Sequence, residues 1–227
     1  MVVDLFWKII HIPVGGMPYA ADYSVFLALG GIGPNFHGLV FWFLPLLLMF
    51  IVSDDVFTDK DTGSKSILAA KVGSRQYAMS VAVKGFLFSF ALILLPLLFN
   101  LFLSHILLNG VKLTFDKELY GEFAKRCMEK PLLTNVVFIF ITSLLAGVIG
   151  FSGSGLALVT LDRKKAYVIS FLLWYVFFVP RKSIMLSLQP FSEYGLKDIL
   201  PVYLLCLFTH VIIALICFAV ARRRDVY

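Results

Sequence analysis

Residues 83 to 108 read VKGFLFSFALILLPLLFNLFLSHILL, and the only charged side chain in this run is Lys84, next to its start. A helix needs about 20 apolar residues to cross the hydrocarbon core of a bilayer, so this run is long enough to span. The whole chain of 227 residues is 60% hydrophobic and 15% charged, whereas soluble domains carry about 25% charged residues. We therefore predict a single-domain, all-α, polytopic membrane helix bundle over residues 1–227.

Four more apolar runs flank this one and give a predicted set of five spans. The five runs are His37 to Ser53, Val83 to Leu108, Leu132 to Leu158, Tyr167 to Pro180, and Leu200 to Ala221. The fourth run is short. It reaches both interfaces only if the long basic side chains at its two ends extend toward the headgroups.

Two segments outside the spans have their own character. Residues 1–36 are predicted as an atypical N-terminal segment at the outer surface, because glycine and proline interrupt their apolar run. Residues 109–131 are predicted as an outer amphipathic segment, since apolar side chains recur at roughly helical spacing among charged neighbours.

The distribution of lysine and arginine predicts the orientation. Basic clusters adjoin span ends in residues 54–84, in the Arg163 to Lys165 triplet and in the Arg222 to Arg224 triplet. Such clusters lie on the cytoplasmic side of membrane proteins. We therefore predict a multi-pass protein of a cytoplasmic (inner) membrane, with these three segments in the cytoplasm.

Composition and spacing argue against several classes of function. The net charge of +6 lies between apolar runs without an aromatic-interleaved basic face, so lipid headgroups rather than nucleic acid are the predicted counter-charge. The three cysteines lack CxxC spacing, and the four histidines lack a paired metal-binding motif, so no metal site is expected. The predicted spans contain no acidic residue, which argues against ion-coupled transport.

One stretch has the glycine spacing of a phosphate-binding loop without its chemistry. Gly150 and Gly155 are separated as in G-x-x-x-x-G, but Leu156 stands where the phosphate-binding lysine should follow. We predict that the stretch packs helices through small residues and that this chain is not an enzyme.

The loop between the first two predicted spans carries a more specific pattern. Asp59 and Asp61 are followed by Gly63-Ser64, a short amphipathic segment, Ser74-Arg75-Gln76-Tyr77, and Lys84 at the head of the next span. This order resembles the cytoplasmic loop of type 2 ABC exporter permeases. The ending Ala221 to Val226, a basic cluster followed by Asp and an aliphatic residue, is also similar to that family's ending, and the resemblance covers residues 37–227.

The resemblance implies a complex. Such permeases usually have six spans, pair with an identical or homologous permease, and dock on two separate ATPase subunits, which bind ATP and Mg while the permease holds no cofactor. Here it implies a cytoplasmic coupling loop at residues 55–82, whose helix lays Ile67, Leu68 and Val72 against the bundle. The implied ATPase-coupling residues are Asp61, Gly63, Ser64, Ser74, Arg75, Tyr77 and Lys84. A second contact is predicted at Arg163, Lys164 and Lys165.

The predicted function is therefore ATP-driven export of an amphipathic or hydrophobic substrate, such as an antimicrobial peptide, drug or lipid. An aromatic and aliphatic lining suits such a cargo, and the predicted substrate path is Phe88, Phe99, Asn100 and Phe102. The alternative is a non-transporting sensor, immunity or scaffold protein that binds a partner through residues 55–82. A basic loop that only holds lipid phosphates also remains open, whereas an intramembrane enzyme lacks paired polar residues.

Overall fold

The computed structural model describes residues 36–107, 122–179, 183–188 and 195–224, and within these ranges the regular structure is all helical. The helices are α1 (Phe36–Trp42), α2 (Leu44–Val52), α3 (Asp54–Asp61), α4 (Ser64–Val72), α5 (Ser74–Leu107), α6 (Glu122–Glu129), α7 (Pro131–Thr160), α8 (Arg163–Phe178), α9 (Ile184–Ser187) and α10 (Leu196–Arg224). The predicted all-α class is confirmed for these residues.

Three helices are long and apolar enough to cross a membrane. They comprise Ser74–Ile106 in α5, Pro131–Thr160 in α7 and Leu196–Arg222 in α10. These helices cover the third and fifth predicted spans and the described part of the second, and the chain is accordingly a membrane protein. Each helix also extends beyond its predicted run, and α5 begins at Ser74 rather than near Val83.

The other two predicted spans are not confirmed as spans. A turn at Phe43 divides the first into α1, of 7 residues, and α2, of 9 residues. Pro45 lies in the first turn of α2, where its missing N–H costs no helical hydrogen bond. α8 has 16 residues, about 24 Å at 1.5 Å each, which falls short of a hydrocarbon core of about 30 Å.

The two predicted non-span segments are described only in part. Residues 1–35 and 108–121 lie outside the described residues. Helix α6 occupies the end of the predicted outer segment and buries Ala124 and Cys127 on one face. Burial raises the pKa of the Cys127 thiol, because the thiolate loses hydration there. The outer amphipathic segment over residues 109–131 therefore stays a prediction.

The described residues divide into two compact units. The first comprises 36–42, 93–107, 122–142, 183–188 and 195–203, and the second 43–92, 143–179 and 204–224. In the first unit the Tyr203 hydroxyl donates to the carbonyl of Ile141 at 2.9 Å, and Ser187 Oγ donates to the carbonyl of Ile199 at 3.0 Å. These side chains join α7, α9 and α10 within that unit.

The second unit has a core that surrounds the end of α7. Its buried cluster includes Met49, Val56, Phe57, Tyr77, Ala78, Ala157, Leu158, Ala166 and Ala221. Helix α2 packs against α8, where the rings of Phe43 and Phe171 stack with centroids 6.2 Å apart. Helices α3, α5 and α8 are therefore held together by one apolar core.

Helices α5 and α7 approach each other closely at two pairs of small residues. Gly85 and Ser89 on α5 face Gly150 and Ser154 on α7, each pair separated by four positions. A Cβ atom at Gly150 would lie 2.5 Å from both the carbonyl oxygen of Gly85 and the Cβ of Ser89. Small residues at this spacing allow membrane helices to pack backbone against backbone. The predicted packing role of the Gly150 to Gly155 stretch is confirmed.

Replacement of Gly150 tests this contact. Gly150→Ala is expected to destabilise the protein by about 1–3 kcal/mol, because a rigid backbone carbonyl occupies the space of the new methyl group. Gly153→Ala is the matched control on the same helix, since its new methyl group would meet the flexible Met49 side chain, with Cγ at 3.0 Å. The measurement is the thermal midpoint of detergent-solubilised protein, followed by size-exclusion chromatography after heating. Equal midpoints for the two variants would contradict the packing.

Whether α8 crosses the membrane can be tested by finding the side of the membrane on which α10 ends. Single cysteines at Lys71, Lys164 and Arg222, in a background without the native cysteines, are labelled with an impermeant maleimide in intact cells and in opened cells. We expect all three to react only after the cells are opened, since a crossing α8 places α4, the α7–α8 turn and the end of α10 on one side. Labelling of the Arg222 position in intact cells would leave α5, α7 and α10 as the crossing helices.

Candidate partner-docking site

The acidic start of α3 is fixed by two cations from distant parts of the chain. Asp54 and Asp55 lie in its first turn, where carboxylates also interact favourably with the helix dipole. Arg163 Nη2 lies 2.9 Å from Asp54 Oδ1, and the Arg163 guanidinium lies 5.7 Å from the centre of the Phe57 ring. Lys84 of α5 forms an ion pair with Asp55. These contacts join α3 to the start of α8 and to α5.

The turn between α7 and α8 is bound to α3 by a third contact. Lys60 Nζ donates to the carbonyl of Leu161 at 2.6 Å, and Leu161 has a left-handed backbone with φ of 48°. Asp162 then caps α8, accepting from the backbone N–H of Lys165 at 3.3 Å.

The Asp162 cap depends on pH. The hydrogen bond from the Lys165 backbone lowers the pKa of the Asp162 carboxyl. Because the pKa is lower in the folded state than in the unfolded state, this contact stabilises the fold at neutral pH. Its contribution is lost as the pH falls through the lowered pKa.

Asp59 connects the three helices of the loop. Its Oδ2 accepts a hydrogen bond from the hydroxyl of Tyr77 at 2.9 Å, and its Oδ1 accepts one from Ser64 Oγ at 3.1 Å. Tyr77 is buried, Ser64 begins α4, and Asp59 lies on α3. Both oxygens of the carboxylate are therefore oriented by neutral donors, and no cation among the described residues forms an ion pair with it.

Helix α4 stands apart from the core and is bounded by two glycines with positive φ. Gly63 precedes it in the αL conformation at φ 74°, and Gly73 ends it at φ 85° and ψ 139°. None of the α4 residues is buried, and the exposed fractions of Ile67, Leu68 and Val72 are 58%, 38% and 48%. The prediction that these three side chains pack on the bundle is wrong. The glycines turn α4 so that one face borders a cavity and the other faces outward.

A cavity of about 700 Å³ lies between α3, α4 and the first turns of α5. Its polar lining is Asp55, Thr58, Asp59, Gln76, Tyr77, Ser80 and Lys84. Its apolar lining is Val52, Val56, Leu68, Val72 and Val81. On its other side α4 borders a second cavity, of about 610 Å³, whose lining includes Lys60, Lys65 and Ser66. Helix α4 therefore separates two open grooves.

The predicted coupling residues fall into two groups. Ser64, Tyr77 and Lys84 are drawn into the α3 contacts, Gly63 shapes the start of α4, and Ser74 begins α5. Asp61 and Arg75 are exposed and make no hydrogen bond or ion pair with another described residue. The first group holds the loop together, and Arg75 in the second is available to a partner.

The predicted second contact is only partly available. Arg163 is bound to Asp54, and Lys165 Nζ lies 3.4 Å from Asp162 Oδ2. Lys164 is exposed and unpaired within the described part of the chain.

The four residues of the predicted substrate path do not share one face of α5. Phe88, Phe99 and Phe102 are each more than half exposed, whereas Asn100 is fully buried. The exposed phenylalanines form an apolar face suited to lipid or to an apolar cargo, and Asn100 lies on the packed side of the helix.

Sequence reasoning did not identify how the acids of α3 are used. The positions of Asp54, Asp55 and Asp59 were visible as an acidic stretch, but apart from the Asp59–Ser64 contact their partners lie 18 to 109 positions away and depend on tertiary packing. The sequence contains one signal of this structural role. Four acids and a lysine directly follow an apolar run, and solvation of the loop alone would not require so many charges.

Comparison with known proteins places the chain among bacterial relatives. It is 33% identical over 204 residues to the uncharacterized protein YybM of Bacillus subtilis (strain 168), a match that covers 86% of this chain and 79% of that protein. The chain belongs to the YybM family. No protein-family model matches the chain, and no solved structure matches it. The assignment to this family therefore depends on the sequence similarity to YybM.

The two glycines around α4 give a test of its mobility in this member of the YybM family. A Cβ atom added at either glycine would meet no other atom within 4 Å, so conformation alone decides the effect of a substitution. Asparagine tolerates the αL conformation of Gly63, but the backbone of Gly73 is close to a region that is essentially restricted to glycine. Gly73→Asn should therefore cost about 1–3 kcal/mol, and Gly63→Asn should cost less.

Hydrogen exchange measures this difference locally. Because α4 buries no side chain, strain at Gly73 is relieved by opening α4 alone, and its amides should exchange about tenfold faster or more in Gly73→Asn. Exchange elsewhere in the chain serves as the internal control. Equal protection of α4 in Gly63→Asn and Gly73→Asn would refute the proposed backbone restriction.

Proposed function

We propose that this chain is the permease subunit of an ATP-driven exporter of the type 2 ABC class, and that α4 and the first turn of α5 dock a separate ATPase. The observation that carries the proposal is the exposure of α4. A helix that buries none of its residues and exposes Ile67 and Lys71, with Arg75 exposed beside it in the first turn of α5, is suited to binding another protein.

The distribution of charge supports docking through this surface. Three of the four acids of α3, Asp54, Asp55 and Asp59, are engaged by Arg163, by Lys84 and by the hydroxyls of Tyr77 and Ser64. Lys71 and Arg75 are exposed and make no ion pair with other described residues. The outward charge of α4 and the start of α5 is therefore basic, while three acids of α3 hold the loop together and Asp61 stays exposed.

The contacts of α3 also suit transmission of force. A push on α4 reaches α5 through Asp59 and Tyr77, and it reaches α8 through Asp54 and Arg163. Two ATPase subunits, which bind ATP and Mg, would supply the push, and a second permease copy or homologue would complete the assembly. The cargo that fits the apolar exposed face of α5 is an amphipathic or hydrophobic peptide, drug or lipid. The site of action is the bacterial cytoplasmic membrane.

A scaffold or sensor that binds a partner without transport would use the same exposed α4. The two functions differ in the protein that is bound, because the partner of a scaffold or sensor would not be an ATPase. The deciding measurement is therefore the identity of the bound protein.

Capture of the partner tests the proposal. The tagged chain is solubilised in mild detergent from its own host, and co-purifying proteins are quantified by mass spectrometry for an ATPase with a G-x-x-x-x-G-K-[ST] motif. Arg75→Glu is expected to reduce recovery of that ATPase at least tenfold, because it reverses the charge of an exposed docking residue. Since Arg75 makes no ion pair with described residues, the thermal midpoint of the variant should stay close to that of the wild type.

The control is Lys125→Glu, the corresponding charge reversal at an exposed residue of α6. This variant should retain the ATPase. Recovery of a stoichiometric partner without that motif would favour the scaffold, and recovery of the ATPase by Arg75→Glu at the wild-type level would remove α4 and the start of α5 as the docking surface.

A further inference from the structure

Among the described residues that line the cavity between α3, α4 and α5, one carboxylate has no cationic partner. Among its lining residues, Asp55 is paired with Lys84, whereas Asp59 accepts only from the neutral hydroxyls of Tyr77 and Ser64. Asp59 is half-buried, so water screens its charge less than it would at an open surface. The described lining residues therefore carry one more negative charge than positive charge.

This carboxylate is prepared to bind a cationic donor. An ionised carboxylate has about four acceptor positions, of which Tyr77 and Ser64 use two. The two hydroxyls hold the carboxylate in one orientation, so the binding of a new donor does not carry the entropy cost of ordering this side chain. A guanidinium or ammonium group would gain charge-assisted hydrogen bonds at the remaining positions.

The rest of the cavity fits the stem of a basic side chain. Val52, Val56, Leu68, Val72 and Val81 form apolar walls around the polar end. The methylene stems of arginine and lysine bury readily against apolar surface while the charged end stays hydrogen-bonded. The volume of about 700 Å³ also leaves room for neighbouring residues of the same partner.

We propose that this cavity receives an arginine or lysine side chain of the docked partner, with Asp59 as its counter-charge. The inference rests on the proposed function in one respect, namely that α4 is the docking element. It adds a specific anchor: the basic outer face of α4 meets acidic groups of the partner, and one basic side chain of the partner enters the groove behind α4.

A phospholipid headgroup fits this lining less well. An ethanolamine headgroup carries a phosphate beside its ammonium, and that phosphate needs a cation of its own. Lys84, the only lysine or arginine in the lining, is already paired with Asp55. The net negative lining therefore favours a ligand with a single positive charge.

The isolated full-length chain tests the cation site directly. Butylguanidinium serves as the probe, and butylurea is its neutral counterpart of similar shape. At saturating concentration butylguanidinium is expected to raise the thermal midpoint of the wild type by about 3 °C or more relative to butylurea. Asp59→Asn should lose this difference. Asp61→Asn is the matched control, because Asp61 lies on the same helix but does not line the cavity, and it should keep the difference.

A second variant covers the case in which Asp59→Asn does not fold. Val72→Arg leaves Asp59 intact and places a guanidinium on an exposed wall of the cavity. It should abolish the response to butylguanidinium by occupying the site from within the chain. A response of wild-type size in either variant would overturn the inference.

Two further outcomes separate this inference from the proposed function. If the wild type captures the ATPase but butylguanidinium has no Asp59-dependent effect, the docking surface stands and the cation site falls. If butylguanidinium binds but no ATPase is captured, the proposed function falls while the cation site stands. Retention of an aminophospholipid by the purified wild type, and its loss in Asp59→Asn, would overturn the assignment to a partner's side chain.

Discussion

The contact of Gly85 and Ser89 with Gly150 and Ser154 fixes the rotation of α5, and the candidate site depends on that rotation. Because α5 is continuous from Ser74, the side packed on α7 also carries Ala78 and Ala82 into buried positions. Arg75 lies on this same side, seven positions before Ala82, but it is exposed in the first turn of α5. A different rotation of α5 would remove Tyr77 from Asp59 and Lys84 from Asp55 together. The small residues of two membrane helices thus determine which charges of a polar loop are engaged.

Charge in residues 54–84 is divided by function rather than spread evenly. Exposed ion pairs stabilise proteins little when they stand alone, so Arg163 with Asp54 and Lys84 with Asp55 matter chiefly for position. They join three helices that the apolar cluster around Phe57 and Ala166 already holds close together. Asp59 differs, because hydroxyl groups orient it without neutralising it. The loop therefore has a rigid base formed by α3 and the start of α5, and a less constrained helix, α4, between two glycines.

The sequence predicted those parts of the fold that depend on local composition. Three apolar runs form the long helices α5, α7 and α10, and the glycine-rich stretch of α7 packs closely against α5 because its residues are small. Hydropathy could not predict that a turn at Phe43 divides the first run, or that α5 starts at Ser74, because a polar helical extension has no apolar signal. The acids of the loop were visible, but their pairing with Arg163 across 109 positions requires the tertiary fold.

The wrong prediction about α4 is informative for the same reason. Ile67, Leu68 and Val72 occur at spacings that do not form one narrow stripe, and the short helix buries none of them. On so short a helix, lysines that alternate with apolar residues are compatible either with packing on the bundle or with exposure. The two glycines decide between these two outcomes because they set the direction of α4. A helix with three exposed aliphatic side chains gains little from its own chain, since burial of each such side chain is worth about 1.5–3 kcal/mol. Contact with a partner would recover part of that free energy, and the groove beside Asp59 would then be closed by the same event.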